Sequence, residues 1–363
     1  MAGNDPHPVR RDNKEDESRC CPKRTAPGGQ IKKKKIACLA LTENGRALAE
    51  KIAAGLDGEV FFCRGRLKKN LTRCWQEYDA LVCIMATGIV VRTLAPLLRD
   101  KAHDPAVLVC DEKGQFVISL LSGHIGGGNR LAREVADITG GTAVITTASD
   151  VQGRTPLDLF LRDLGVRVGD RAGLTRIMGK LVNQGWITIA SDYPLPPLPD
   201  DLRLVDAPDE ANLYITARSV GKGRGVLAHP PVLAAGIGCN RNTPASEIRE
   251  ALQEACAAHN LALASVFTLA SIDLKKDEDG LLAVARGLEL PIRFYDRDEL
   301  NGVAGVSVSQ AVLKATGAKG VAEPAAILAS SGGRLLVRKM KWANVTVAIA
   351  ETMINAQWTM IDE

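Results

Sequence analysis

The chain has 363 residues, 46% hydrophobic and 24% charged, enough length for two or three domains with real cores. A net charge of +4 and an aromatic content of 4% argue against a generic nucleic-acid binder, because the basic excess lies in the amino-terminal tail and little material is left for base stacking. Nine cysteines with no CxxC pair and no regular spacing form neither a zinc signature nor a disulfide framework; Cys38, Cys83 and Cys110 sit inside apolar runs as small core residues, as suits a reducing cytoplasm.

Residues 1–34 contain no apolar stretch of signal-peptide length, and no run elsewhere approaches the ~18 apolar residues of a membrane span, so neither export nor membrane insertion is expected. This polar, charged, Pro- and Gly-containing tail is expected to be disordered. Order begins at "KKIACLALTENGRALAEKIAAGL", which reads as a strand, a turn at Asn44-Gly45 and a helix with Leu48, Ile52 and Leu56 on its apolar face. "DALVCIMATGIVVRTLAPLL" repeats strand, glycine turn and helix. "AVLVCDEKGQFVISLLSGHIGGGNRLAREVADITG" reads as two strands joined at Lys113-Gly114, then a loop and a helix, and "TAVITTASD" adds a further strand. Such alternation implies a mostly parallel sheet with helices on its faces and ligands at the carboxyl ends of the strands. From 151 to 228 the pattern weakens around the proline-rich "DYPLPPLPDDLRL", which predicts a smaller middle region. A second α/β domain is expected over 229–363, opening with "VLAAGIGC" and a helix capped by Thr243 with Pro244 at its first position. The first covers 35–150.

No phosphate loop and no dinucleotide fingerprint occurs, which disfavours a nucleotide-dependent regulator. "LSGHIGGGN" is the most unusual stretch. Its glycines permit close backbone approach, and the helix that follows offers free N–H groups and a positive dipole end to an anion. His124 is either an acid/base group or a histidine that holds the turn through a carbonyl. Asn129 is either a helix cap or an amide donor to a bound carboxylate. Arg92, Lys101 and Arg130 are candidate anion partners. Thr146, Thr147 and Asp150 fall at a strand end, where Asp150 alternatively caps a helix starting near 154. Asp273, Lys275 and Glu278 belong to a charged turn expected at the surface, and Glu323 in "GVAEPAA" is either a capping residue or an acid/base group facing a domain cleft.

"TGIVVR", "KAHDPAVLVCDEKGQFVISLLSGHIGGGN" and "ITTASD", in that order, resemble the amino-terminal domain of the CbiG family, the cobalt-precorrin-5A hydrolases of anaerobic cobalamin biosynthesis. "AAGIGCNRNTP", "LASIDLKKDEDGLL", "GVAEPAA" and "VTVAIA" resemble its carboxyl-terminal domain, shared with CobE proteins. The resemblance implies a Rossmann-like, mostly parallel amino-terminal domain, a small middle unit and a second α/β domain of the CobE/CbiG type. It implies a hydrolase that opens the δ-lactone of a cobalt-bearing contracted tetrapyrrole and expels the methylated meso carbon as acetaldehyde. The alternative is a non-catalytic corrinoid carrier. On this reading His124 and Glu323 are catalytic, and the backbone N–H groups of Gly126, Gly127 and Gly128 form an oxyanion site. Arg92, Lys101, Ser122, Asn129, Thr146, Thr147, Asp150 and Lys275 contact substrate. No resident metal or other cofactor is expected, since cobalt travels with the substrate, and the partner the resemblance implies is a neighbouring pathway methyltransferase.

Overall fold

The structure, a computed structural model, describes residues 34–99, 103–124, 126–220 and 225–354. The expectations for residues 1–33 and for Lys101 fall outside the described residues.

The first unit contains β1 (Ile36–Ala40), α1 (Glu43–Leu56), β2 (Glu59–Phe62), α2 (Leu67–Glu77), β3 (Ala80–Ile84), α3 (Thr87–Leu94), β4 (Ala106–Cys110), β5 (Phe116–Leu121), α4 (Gly128–Thr139) and β6 (Thr142–Val144). Its strands form one sheet in the order β2-β1-β3-β4-β5-β6. β1, β3 and β4 are buried along their whole length, as parallel strands covered on both faces must be. Alternate residues feed two cores: Cys38 and Ala40 pack with Ile52, Leu131 and Val135 of α1 and α4, whereas Ala37 and Leu39 pack with Leu71, Val90 and Leu94 of α2 and α3. Asn44-Gly45 is not a turn. Thr42 caps α1 by accepting the Gly45 N–H at 3.1 Å, so both residues lie in its first turn.

The β4–β5 pair, joined through Lys113-Gly114 as expected, is the one antiparallel ladder of this sheet; β6 returns parallel to β5. Leu121 at the end of β5 therefore pairs with Val107 near the start of β4. The carboxyl ends of β5 and β6 share an edge with the amino ends of β1, β3 and β4, opposite the edge from which α3 departs.

The middle unit contains α5 (Ala148–Val151), α6 (Leu157–Asp163), α7 (Arg171–Gln184), β7 (Ile187–Ser191), β8 (Leu202–Leu204), β9 (Leu213–Ile215) and β10 (Val226–Ala228). It is more regular than its sequence suggests. Its strands form an all-parallel sheet in the order β10-β9-β7-β8, and the proline cluster of "YPLPPLP" lies in the β7–β8 connection. Three of these strands have only three residues, too short for periodicity to register. Leu157, Leu161 and Leu181 of its helices seal the sheet against Ile187, Leu213 and Ile215.

The third unit contains β11 (Leu233–Cys239), α8 (Ala245–Ala258), β12 (Val266–Ile272), α9 (Asp279–Gly287), β13 (Ile292–Tyr295), α10 (Arg297–Gly302), α11 (Gln310–Thr316), α12 (Ala322–Ala329), β14 (Arg334–Lys341) and β15 (Val345–Glu351). The sheet order is β13-β12-β11-β15-β14, with the first three strands parallel and β15 antiparallel to both neighbours. The alanine-rich α12 lies directly on β11: a Cβ at Gly236 would overlap the Ala322 carbonyl, so only glycine permits this approach. α8 begins one residue later than expected, with Pro244 at the cap and the Thr243 hydroxyl donating to the Asn240 carbonyl at 2.9 Å.

Candidate active site

After β5 the chain reverses through Ser122 at φ +54° and Gly127 at φ +76°. The reversal is closed by its own amides: Gly127 N–H donates to the His124 carbonyl (2.8 Å), Gly128 N–H to Ser122 (3.1 Å) and Asn129 N–H to Gly123 (2.9 Å). This corrects the expected oxyanion site, since the Gly127 and Gly128 amides are consumed within the loop. The glycines serve self-packing: a Cβ at Gly126 would stand 2.5 Å from the Ser122 Cβ and 2.6 Å from its carbonyl oxygen. The Lys34 ammonium donates to the Gly126 carbonyl at 2.7 Å and brings a cation to the loop.

The loop holds His124 between two carboxylates. Nε2 lies 2.8 Å from Asp150 Oδ2 and 3.2 Å from Ser149 Oγ, and Nδ1 lies 3.5 Å from Asp158 Oδ1. The His124 and Asp158 side chains are 12% and 8% exposed, so their charges are poorly screened. Asp158, then Asp150, raise the His124 pKa above the ordinary histidine value against the opposing effect of burial. Burial disfavours ionisation of both acids, but His124 with Arg133 at Asp150, and His124 with the Leu159 amide at Asp158, outweigh it and hold both carboxyls below the usual range.

Asp150 also accepts from Arg133 Nη2 (2.8 Å) and Asn129 Nδ2 (2.9 Å), and the same Asn129 amide reaches Thr147 Oγ1 at 3.1 Å. Asn129 is therefore a buried clamp between the glycine loop and α5; Gly127 holds the cap position of α4. Asp150 lies inside α5 and does not cap a helix near 154.

The imidazole opens onto a cleft of about 470 Å³ lined by Ser122, Gly123, Thr147, Ser149, Thr155 and Asp158, with Met178, Leu181 and Val182 of α7 as an apolar wall. The cleft thus lies between the first and middle units. A larger cavity, about 820 Å³, lies between the middle and third units, but its acids are already paired with tyrosines: Tyr193 with Glu351 at 2.8 Å and Tyr214 with Asp192 at 2.5 Å. It holds no group poised like His124.

Of the residues expected from sequence, Ser122, His124, Asn129, Thr147 and Asp150 come together here. Ser122 lines the cleft while its hydroxyl donates to the Asp104 carbonyl at 2.9 Å. Thr146 is exposed and does not line the cleft. Arg92 is exposed on α3, which leaves from the opposite sheet edge. Arg130 pairs with Glu134 on the outer face of α4.

Glu323 and Lys275 belong to the third unit and line a different region. Glu323 is buried and accepts from Ser307 N–H (2.6 Å), Ser307 Oγ (3.1 Å) and Lys339 N–H (2.9 Å). Burial opposes its ionisation, but these donors hold its pKa below the usual range. The geometry assigns it a structural task, tying a loop and β14 to α12. The charged turn is not all surface either: Glu278 is 3% exposed and accepts from the Asn242 N–H and from Lys275 Nζ at 3.1 Å.

Sequence reasoning missed Asp158, Ser149 and Arg133. Asp158 stands in the first turn of α6, where an acid reads as an ordinary dipole partner; Arg133 reads as one more solvated helix charge.

The Cobalamin synthesis G N-terminal family model matches residues 69–150, and the Cobalamin synthesis G C-terminus model matches 233–350. A cobalt-precorrin-5A hydrolase of Priestia megaterium is 39% identical over 306 residues, covering 79% of this chain and 82% of that protein. A cobalt-precorrin-5A hydrolase of Salmonella typhimurium is 33% identical over 348 residues, covering 88% and 98%. The crystal structure of a cobalamin biosynthesis protein G homolog from Sulfolobus solfataricus aligns over 87% of this chain and 97% of its own, with 21% identity and a TM-score of 0.38. With two family models in order and a relative 39% identical over most of both chains, this protein belongs to the cobalamin synthesis G (CbiG) family.

Proposed function

We propose that the chain is a cobalt-precorrin-5A hydrolase, which opens the δ-lactone and releases the extruded meso carbon as acetaldehyde to give cobalt-precorrin-5B. The observation that carries the site assignment is His124, whose ring nitrogens lie 2.8 Å from Asp150 and 3.5 Å from Asp158 at the mouth of a cleft, with both carboxylates raising its pKa. The names of the Priestia and Salmonella relatives support the reaction.

Lactone opening needs a base for water and an acid for the leaving oxygen. Asp158 lines the cleft and its contact to Nδ1 is the looser one at 3.5 Å, so we assign it the base and the Nδ1 proton the acid. Water loses a proton to Asp158 and adds to the acyl carbon; the acyl C–O bond breaks and the departing alkoxide takes the proton of His124. The neutral imidazole then accepts the hydroxyl proton as the C–C bond to the macrocycle breaks. Acetaldehyde leaves, and the bonding pair stays on the ring carbon. Asp150, held by Asn129 and Arg133, fixes the imidazole from the Nε2 side.

Cobalt enters as part of the substrate, so the scheme uses no resident cofactor. We place the reaction in the cytoplasm, with substrate handed over by a neighbouring methyltransferase of the pathway; among the described residues no helix is long and apolar enough to cross a membrane. The test is acetaldehyde release from cobalt-precorrin-5A, followed by coupled reduction. The wild-type chain should release it stoichiometrically, and His124→Ala should bind the pigment but lose about 100-fold or more in rate. A wild-type chain that binds the pigment and leaves the lactone intact would be a carrier and would refute the proposal.

A further inference from the structure

The third unit has a cavity of about 420 Å³ that the scheme above does not use. It lies where β11 and β12 end and the β14–β15 turn closes, so Gly238, Asn240, Lys275 and Trp342 meet at one sheet edge, with Val312 of α11 opposite. Three stretches singled out in the sequence, "AAGIGCNRNTP", "LASIDLKKDEDGLL" and "GVAEPAA", converge on it through Gly238, Lys275 and Val321.

Its lining is one-sided in charge. Lys275, Lys339 and Lys341 contribute to the wall, and no Asp or Glu does. Lys275 is paired with the buried Glu278, but among the described residues the Lys339 and Lys341 ammonium groups form no ion pair; Lys339 bonds Glu323 through its backbone N–H, and its side chain acts on that carboxylate only through space. The rest of the wall is largely apolar, with Ile272, Val312, Val321 and Trp342. The indole N–H donates to Glu254 at 2.6 Å, which anchors the ring. A cavity with apolar walls, an anchored aromatic and unneutralised ammonium groups suits a flat, largely apolar molecule bearing several carboxylates.

We propose that this cavity is a second binding site for a carboxylated tetrapyrrole, separate from the His124 cleft, in which Lys339 and Lys341 pair with peripheral carboxylates and Trp342 packs against the ring system. The ligand class rests on the hydrolase reading; the cavity and its charge do not. Between the two sites the chain would hold one pigment at the reactive cleft and another at the third unit.

The probe is cobyrinic acid, a stable cobalt corrin with free carboxylates, titrated into the full chain with calorimetric stoichiometry and tryptophan fluorescence as readouts. The wild type should bind two equivalents, one of which weakens as salt is raised. Lys339→Glu/Lys341→Glu should weaken that equivalent by about ten-fold or more and remove the accompanying Trp342 quenching. Lys339→Gln/Lys341→Gln, which keeps side-chain bulk without reversing charge, should give an intermediate loss. A single salt-insensitive equivalent in the wild type, or unchanged affinity in both folded double variants, would overturn the proposal. A wild-type chain that releases no acetaldehyde, yet loses the salt-sensitive equivalent in the variants, would refute the hydrolase reading and support this one.

Discussion

Asp150→Asn isolates the electrostatic task of the aspartate that does not line the cleft. Its carboxylate lies 2.8 Å from Nε2 and its side chain is only 19% exposed. Two unit charges at that separation attract by about 1.5 kcal/mol with water-like screening and about 6 kcal/mol with the screening typical of protein sites. Much of this is offset by desolvation, and a neighbouring carboxylate usually moves a pKa by about 1–3 units. The folded His124 pKa is raised, so the imidazolium is fully present below the ordinary value of about 6.5 and is lost as pH rises through the folded value. Removing one of its two carboxylates lowers the folded value. The alkaline limb of the kcat profile for acetaldehyde release should therefore move toward acid by about 1 unit or more, with the rate at low pH falling far less than the rate at high pH. The protein should also lose part of its stability at neutral pH, because the stabilisation supplied by charged His124 then disappears at a lower pH. An alkaline limb that stays in place, with kcat reduced equally at every pH, would refute the assignment of His124 as the acid.

Three further outcomes are expected. Asp158→Asn should lower kcat by about 100-fold with little change in KM, because it removes the base rather than a binding contact; a pure KM effect in steady-state kinetics would contradict the scheme. Gly126→Ala should lose about 1–3 kcal/mol in denaturant unfolding, since its methyl meets Ser122 at 2.5 Å, and a neutral result would show that the loop does not pack on itself. Glu323→Gln should cost about 1–3 kcal/mol through weakened Ser307 and Lys339 contacts while kcat at the His124 site holds. Because the folded Glu323 pKa is lowered, its stabilisation is present above the unfolded value and lost as pH falls through the folded one. A Glu323→Gln chain of normal stability but no turnover would restore Glu323 as a catalytic residue.

The local pattern alone determined a good deal. The strand runs "IACLA", "ALVCI" and "AVLVC" announce buried parallel strands because both of their faces must be apolar. "LSGHIGGGN" stands out because a run of glycines is costly in a plain connection, and Asp150 falls at a strand end where ligands gather, although its contact with His124 comes only from the structure. Tertiary structure decided the rest. The antiparallel β4–β5 ladder carries the His124 loop to the edge opposite α3, so Arg92, expected beside it, faces elsewhere. Side-chain alternation is the same in either strand direction and does not report that reversal; the short Lys113-Gly114 link does, because parallel neighbours need a longer crossover, but which edge the loop then reaches depends on the sheet order. Asp158 enters from α6, where the chain has passed into another unit, and its meeting with Nδ1 depends on how two sheets dock. The Gly127 and Gly128 amides and the Glu323 carboxylate are occupied by structural partners for a related reason. The residue types were right, but hydrogen-bonding capacity is spent on whichever partner the fold brings within about 3 Å, and that is a property of long-range packing rather than of sequence neighbours.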